Sequence, residues 1–281
     1  MINQDNLIRA REILKNADAV FCFSGAGMSA PSGANTFRGD DGFWRHFPPY
    51  QKLGLNFEQM ATPASFVDHL DVALGFYGYR YNLYNKLTPH AGYYDLKRVM
   101  DSKIFGGWMI TTNVDGHAIK AGFEDVYESH GSINHWQCSN LDCANKNGLF
   151  APPKLVVDEE TMTCNITDEH YCGCRKPLRP NIVMFWDLQF CDIRTREQYG
   201  RYLKFRYDLE EKKTFPRVAV LEIGAGDAIP TMRIEAHQIA NEFGTRVIRI
   251  NMEPETETHD RRPIHLQGDA CEVLKLLTEG L

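Results

Sequence analysis

The sequence has no excess of positive charge. Its 31 lysines and arginines face 37 aspartates and glutamates over 281 residues, for a formal net charge of -6. Surfaces that bind nucleic acid are ordinarily basic, so no polynucleotide partner is expected. Nor does any apolar run approach the ~20 residues needed to span a bilayer, so no membrane partner is expected. The opening Met1-Ile2-Asn3-Gln4-Asp5 has no basic segment leading into an apolar stretch; export is not expected, and the cytoplasm is the expected location. Internal repeats and low-complexity tracts are absent as well. With 43% hydrophobic and 24% charged residues the composition is that of an ordinary globular chain, long enough to bury a full core.

Apolar residues fall into short runs. Ile8 to Leu14 reads as a helix before a buried strand, Ala19-Val20-Phe21-Cys22-Phe23. Further strands are expected at Trp108–Thr111, Val126-Tyr127, Asn181–Phe185, Val218–Ile223 and Val247–Ile250, each followed closely by Gly, Asn or Asp. Buried parallel strands have this form, and open α/β sheets bind ligands beyond the carboxyl ends of their strands. Between Trp44 and His90 the pattern turns helical, with Phe66, Leu70, Leu74, Tyr77 and Tyr81 at helix-like spacing, which implies an inserted helical module.

Two features carry chemistry. The first strand runs into Gly25-Ala26-Gly27-Met28-Ser29, where glycines let the backbone approach a diphosphate and the amides of a helix start favour anionic oxygen. The motif is shorter than G-x-G-x-x-G, and glycines after strands also serve tight turns. The second feature is the cysteines. Cys138, Cys143, Cys164, Cys172 and Cys174 crowd one short segment, while Cys22, Cys191 and Cys271 stand alone. A cytosolic chain of this size needs no disulfide staples, so the cluster reads as a metal site. The four-residue gap between Cys138 and Cys143 suits a zinc loop, and four thiolates would leave no open position, making the metal structural.

Taken in order, the motifs resemble those of the sirtuin (Sir2-like) family over nearly the whole chain. Gly25-Ala26-Gly27-Met28-Ser29, Ser32-Gly33, Phe37-Arg38-Gly39 and Asp41-Gly42-Phe43-Trp44 match the first signature. Thr111-Thr112-Asn113-Val114-Asp115 corresponds to T-Q-N-I-D, and His130-Gly131-Ser132 to the H-G-S catalytic segment. Leu178–Val183, Ile250-Asn251 and Gly268-Asp269-Ala270 follow in register with L-R-P-x-V-V, I-N and G-D-A.

The resemblance implies a Rossmann-like, doubly wound parallel sheet with a smaller discontinuous domain made of a helical module and a zinc ribbon. Its expected divisions are 1–44, 96–130 and 181–281 for the NAD-binding domain, 45–95 for the helical module and 131–180 for the zinc module. It also implies NAD-dependent protein lysine deacylation, with nicotinamide and O-acyl-ADP-ribose as products and an acylated protein or peptide as partner. NAD and Zn are the implied cofactors. Breaking the nicotinamide–ribose bond calls for a held nicotinamide, a desolvated pocket and a base. His130 just past a strand is the natural base, since imidazole titrates near neutrality. Asn113 can position a ribose hydroxyl or water, and Asp115 can accept the carboxamide N–H of nicotinamide. By resemblance Gly25, Ala26, Gly27, Ser29 and Thr112 belong to the cofactor site. Phe37 would cover the reactive ribose carbon and Arg38 would order the loop near the phosphates. Gly224, Ala225 and Gly226 would lie near phosphates and ribose, Asn251 at the adenine-side ribose, and Asp269 and Ala270 beside the adenine. The implied zinc ligands are Cys138, Cys143, Cys172 and Cys174, with Cys164 the alternative to Cys172.

Departures cluster near the substrate. I-P-D-F-R becomes Ala34-Asn35-Thr36-Phe37-Arg38, T-Q-N becomes Thr111-Thr112-Asn113, and the glycine of V-x-F-G-E becomes Trp186. Thr111–Asp115 and Glu222–Pro230 look more like the macrodomain-linked sirtuins, which act as ADP-ribosyltransferases; those lack the histidine that this chain keeps at His130. Deacylation, mono-ADP-ribosylation and NAD hydrolysis are therefore all compatible with the residues, with a non-catalytic NAD sensor the weakest fit.

Overall fold

A computed structural model describes residues 2–34, 48–52, 54–140, 142–145, 148–212, 214–226, 230–256 and 262–281. Phe37 and Arg38, with the rest of their motif, lie outside the described residues.

Six parallel strands form the central sheet, in the order β10-β9-β8-β1-β2-β3. They are β1 (Ala19–Ser24), β2 (Gly107–Thr111), β3 (Val126–Glu128), β8 (Val218–Ile223), β9 (Val247–Asn251) and β10 (Ile264–Gln267). β1, β8 and β9 are buried along their full length, which is why they read as largely apolar runs, broken in β8 and β9 by the paired Glu222 and Arg249. The period-two alternation of a strand then divides their side chains between two cores. Val20 and Cys22 face a core built with α1 (Gln4–Asn16), α3 (Ala91–Asp101) and α6 (Ala270–Thr278). Phe21 and Phe23 face the other side, against α4 (Ile193–Glu210) and α5 (Thr231–Glu242).

One expected strand belongs elsewhere. Asn181–Phe185 does not join the parallel sheet; β7 (Leu178–Ile182) pairs antiparallel with β4 (Gly131–Cys138) in a separate ribbon, with a register shift between Ser132 and Trp136. Pro180 explains why: it has no N–H for a ladder and is excluded from a central strand. The sixth place goes to β10 at the sheet's edge, whose half-exposed His265 and exposed Gln267 break the apolar run that would have marked it.

A third core joins the inserted segments. α2 (Leu70–Lys86) carries Leu74, Phe76 and Tyr77 against Ile133, Trp136 and Met162. Phe66, placed on the same helical stripe by spacing, sits instead in a separate turn, Ser65–Asp68, with the break at His69. The hairpin of β5 (Val157-Asp158) and β6 (Thr163-Cys164) lies directly on α2, because two helix glycines form a notch for it. A Cβ on Gly75 would overlap the Met162 carbonyl, and one on Gly78 would sit 2.8 Å from the Val157 side chain. Among the described residues no helix is long and apolar enough to cross a membrane.

Candidate active site and metal centre

Three strand ends converge on one point. Gly25 and Gly27, after β1, meet Gly224, after β8. A Cβ on Gly25 would lie 2.8 Å from the Gly224 oxygen, and one on Gly27 would lie 2.6 Å from the Gly224 Cα. Gly224 itself has φ +61, and its amide donates to the Ile250 carbonyl at the end of β9 (2.9 Å). These glycines are thus required by backbone-on-backbone contact before any ligand is considered.

Around that point opens a cleft of about 840 Å³, lined by residues of both the sheet and the inserted segments. Gly25, Ala26, Ser29, Thr112, Asn113 and Asp115 line it from one side, with His130. Gly224, Ala225, Gly226 and Asn251 line it from the ends of β8 and β9. Gly27 is not among the lining residues; its place is in the contact with Gly224. Asp269 and Ala270 do not line the cleft either. The Asp269 carboxylate caps α6, accepting from the amides of Cys271 (2.9 Å) and Glu272 (3.2 Å), although Gly268 donates to the Asn251 carbonyl next door (3.0 Å).

The polar groups are held in defined directions. The Asn113 amide nitrogen donates to the Gly25 carbonyl (3.0 Å) and to Ser29 Oγ (3.1 Å), so its oxygen is the atom left to act as an acceptor. Ser29 Oγ is also 2.8 Å from the hydroxyl of the fully buried Tyr93. Asp115 Oδ1 accepts from the His117 amide (2.8 Å), an Asx turn, so this carboxylate both closes the strand end and borders the cleft. Burial holds His130 below the ordinary histidine pKa, keeping the ring neutral and able to take a proton at physiological pH.

The cleft's guanidinium groups were not among the expected site residues. Arg80, on α2, is 8% exposed and lies over the rings of Phe76, Tyr77 and Tyr84 at 5.2–5.6 Å from their centroids. Its position, three residues after Tyr77 and four before Tyr84, puts a cation in an otherwise aromatic helical stripe, and that was the signal available in the sequence. Arg233 on α5 also lines the cleft.

Far along β4 from His130, the sulfurs of Cys138, Cys143, Cys172 and Cys174 lie within 4.8 Å of one another. Cys138 and Cys174 are 3.5 Å apart, and Cys143 and Cys172 3.6 Å. The amides of Asn140 and Asn145 donate to the sulfurs of Cys138 (3.4 Å) and Cys143 (3.3 Å), which favours thiolates. Four converging sulfurs with amide donors fit a tetrahedral zinc. Cys164 is outside the group, with its sulfur 3.9 Å from His170 Nε2, so Cys172 rather than Cys164 completes the set. Metal analysis of the purified chain is expected to give about one zinc per molecule, and Cys143→Ala to abolish it; zinc retained in that variant would refute the assignment.

Residues 25–195 match the Sir2 family. An NAD-dependent protein deacylase of Pyrococcus abyssi is 32% identical, over 95% of this chain and 95% of its own length. The chain belongs to the Sir2 family. Solved structures agree in fold. A Sir2 homologue–ADP-ribose complex superposes with a TM-score of 0.69 at 21% identity, covering 96% of this chain and 94% of that one. A Sir2 homologue–NAD complex does so at 0.67 and 21%, covering 98% and 92%. Within the Sir2 frame, the cleft at the carboxyl ends of β1, β2, β3, β8 and β9 occupies the position at which an open α/β sheet takes its ligand.

Proposed function

We propose that this Sir2 protein is a cytoplasmic NAD-dependent protein lysine deacylase. The net reaction takes acyl-lysine, NAD⁺ and water to lysine, nicotinamide and O-acyl-ADP-ribose. The observation that carries this reading is the meeting of His130, Asn113 and Asp115 with both glycine turns in one cleft. NAD⁺ supplies the labile nicotinamide–ribose bond and the ribose hydroxyl that receives the acyl group. The chain's own residues then have separate tasks. The glycine backbones of 25 and 224–226 allow close approach of phosphate oxygens, and Asn251 borders them. Asp115 would hold the carboxamide, the Asn113 oxygen would orient a ribose hydroxyl or water, and His130, neutral by burial, would take the hydroxyl proton. The zinc, held by the four cysteines, has a structural part only.

Incubation with NAD⁺ and an acyl-peptide panel, followed by mass spectrometry, tests the reading. Loss of the acyl mass is the expected result. A gain of ADP-ribose on the peptide, free ADP-ribose, or no product would replace it.

Mono-ADP-ribosylation is kept as a second reading because of one observation. The amides of 183–185 are all engaged within the chain. Val183 donates to the His130 carbonyl (3.0 Å), Phe185 to the Ala61 carbonyl (2.9 Å), and Met184 to Asp187 at 3.4 Å. An added peptide strand would find these amide donors already engaged, so a partner would have to be recognised through carbonyls and side chains. Trp186 and Leu188 are exposed there, Trp186 in a left-handed conformation with φ 53.

A further inference from the structure

The sheet has a second hollow at its other end. Beyond the amino ends of β8, β9 and β10, a cavity of about 430 Å³ is walled by α1, the end of α5 and the turn leading into β9. β8 is six residues long, so this cavity lies ~20 Å from the cleft at the carboxyl ends. We infer that it is a binding site for a small ligand joining a phosphate group to an apolar body, with Arg9 and Arg246 holding the phosphate.

Ile13, Val218, Phe243 and Ile264 supply an apolar wall, and Arg9, Arg217 and Arg246 a positive rim. Arg217 is already paired with Asp18, from Nη2 (3.0 Å) and Nε (3.3 Å). The other two are not neutralised. Arg9 makes no ion pair with the described residues; Glu12, the one acid on the wall, stands a turn further along α1 and does not reach it. Arg246 donates from Nε (3.1 Å) and Nη2 to the carbonyl of Arg262, which carries no charge to offset its own. Burial first, then the positive charges of Arg9 and Arg262, holds the Arg246 guanidinium below the ordinary arginine pKa. In a chain of net charge -6, three guanidinium groups thus repel one another at one spot. An anion seated between them would relieve that repulsion.

Arginines near a helix end can instead serve the helix dipole. Here other groups meet the helix ends. Phe243, Gly244 and Thr245 donate their amides to the carbonyls of Ile239 (3.0 Å), Asn241 (3.3 Å) and Ala240 (2.8 Å) at the end of α5. Lys103 Nζ does the same for Leu14 (2.6 Å) and Lys15 (3.3 Å) at the end of α1. Arg9 and Arg246 are left to face the cavity. A phosphate monoester brings nearly two negative charges and three acceptor oxygens, enough for two guanidinium forks at once. A single carboxylate would leave one fork unmatched. The apolar wall then takes the group that carries the phosphate, in a volume within the ~300–1,000 Å³ of small-molecule sites.

Calorimetric titration of the full chain with phenyl phosphate, inorganic phosphate and phenol tests this. Phenyl phosphate is expected to bind more tightly than inorganic phosphate, and at least ~10-fold more tightly than phenol, which lacks the anion. Arg9→Met and Arg246→Met should each raise Kd for phenyl phosphate at least ~10-fold. Arg196→Met removes a 72% exposed arginine of α4 outside the cavity and should change Kd by no more than about twofold. Phenyl phosphate held in the cofactor cleft would be indifferent to Arg9, so unchanged binding in Arg9→Met overturns the inference. It is overturned equally if the unaltered chain binds no phenyl phosphate, if phenol binds as tightly, or if Arg196→Met loses as much. Should Arg246→Met fail to fold, Arg9→Met decides alone, since it removes no ion pair among the described residues.

Discussion

His130→Ala is expected to lower deacylation by 10²–10⁴-fold, the usual cost of a lost general base, while ADP-ribose binding stays nearly intact. On the proposed reading the ring would act on a proton after the cofactor is seated, and binding would rest on the glycine turns, Asn251 and their neighbours. Burial favours the neutral imidazole, so its pKa lies below the ordinary histidine value. The base is present above that pKa and is lost as pH falls through it. The acid limb of kcat/KM should therefore lie below pH ~6.5 and vanish in the alanine variant. Full deacylation by His130→Ala would make the histidine a structural strand-end residue. Lost deacylation with continued transfer of ADP-ribose to protein would favour the second reading.

Gly75→Ala is expected to be the most damaging single-methyl change in the helical module. Helix propensity alone argues the other way, since alanine is better than glycine in a helix interior by about 1 kcal/mol. The methyl would, however, overlap the Met162 carbonyl and sit 2.8 Å from the Thr163 Cα. Both are backbone atoms of the hairpin, which cannot rotate aside. Overpacking of this kind costs about 3 kcal/mol, or roughly 10 °C in Tm for a chain of this size. Gly200, inside α4, supplies the control, because a Cβ there meets nothing within 4 Å. Gly200→Ala should raise Tm slightly, following propensity. Shifts of the same sign in both variants would show that the notch does not decide the outcome at Gly75.

Much of this molecule is legible from its residues, for physical reasons that also mark where legibility ends. Five strands of the sheet are largely apolar because helices cover both faces, and such runs stand out. β10 escapes notice because an edge strand tolerates His265 and Gln267. Asn181–Phe185 misleads in the opposite way. Its Ile182 and Met184 are apolar because they are buried in the third core, while Pro180 bars the segment from a central strand. At the site, Asn113, Asp115 and His130 are recognisable because each lies a few residues past the end of a strand. The choice between Cys164 and Cys172 could not be made from spacing, since it depends on how the β5–β6 hairpin turns Cys164 towards His170. Arg80 and Arg233 are harder still. Each is a single charged residue on a helix, and only the packing of that helix reveals that the guanidinium faces a cleft. Asp269 shows the limit of motif transfer: its position matches, yet its carboxylate caps a helix.

The exposed Trp186 has an optical consequence. Trp108 and Trp136 are 3% and 0% exposed, whereas Trp186 is 78% exposed. An indole in water emits to the red of one in an apolar core, so among the described tryptophans the red edge of the emission belongs to Trp186. Its ring lies 5.9 Å from that of Phe185, which lines the cleft. A substrate side chain settling on this rim would displace water from that indole alone among the described tryptophans, shifting the emission to the blue. Trp186 would then serve as an unlabelled reporter of substrate arrival.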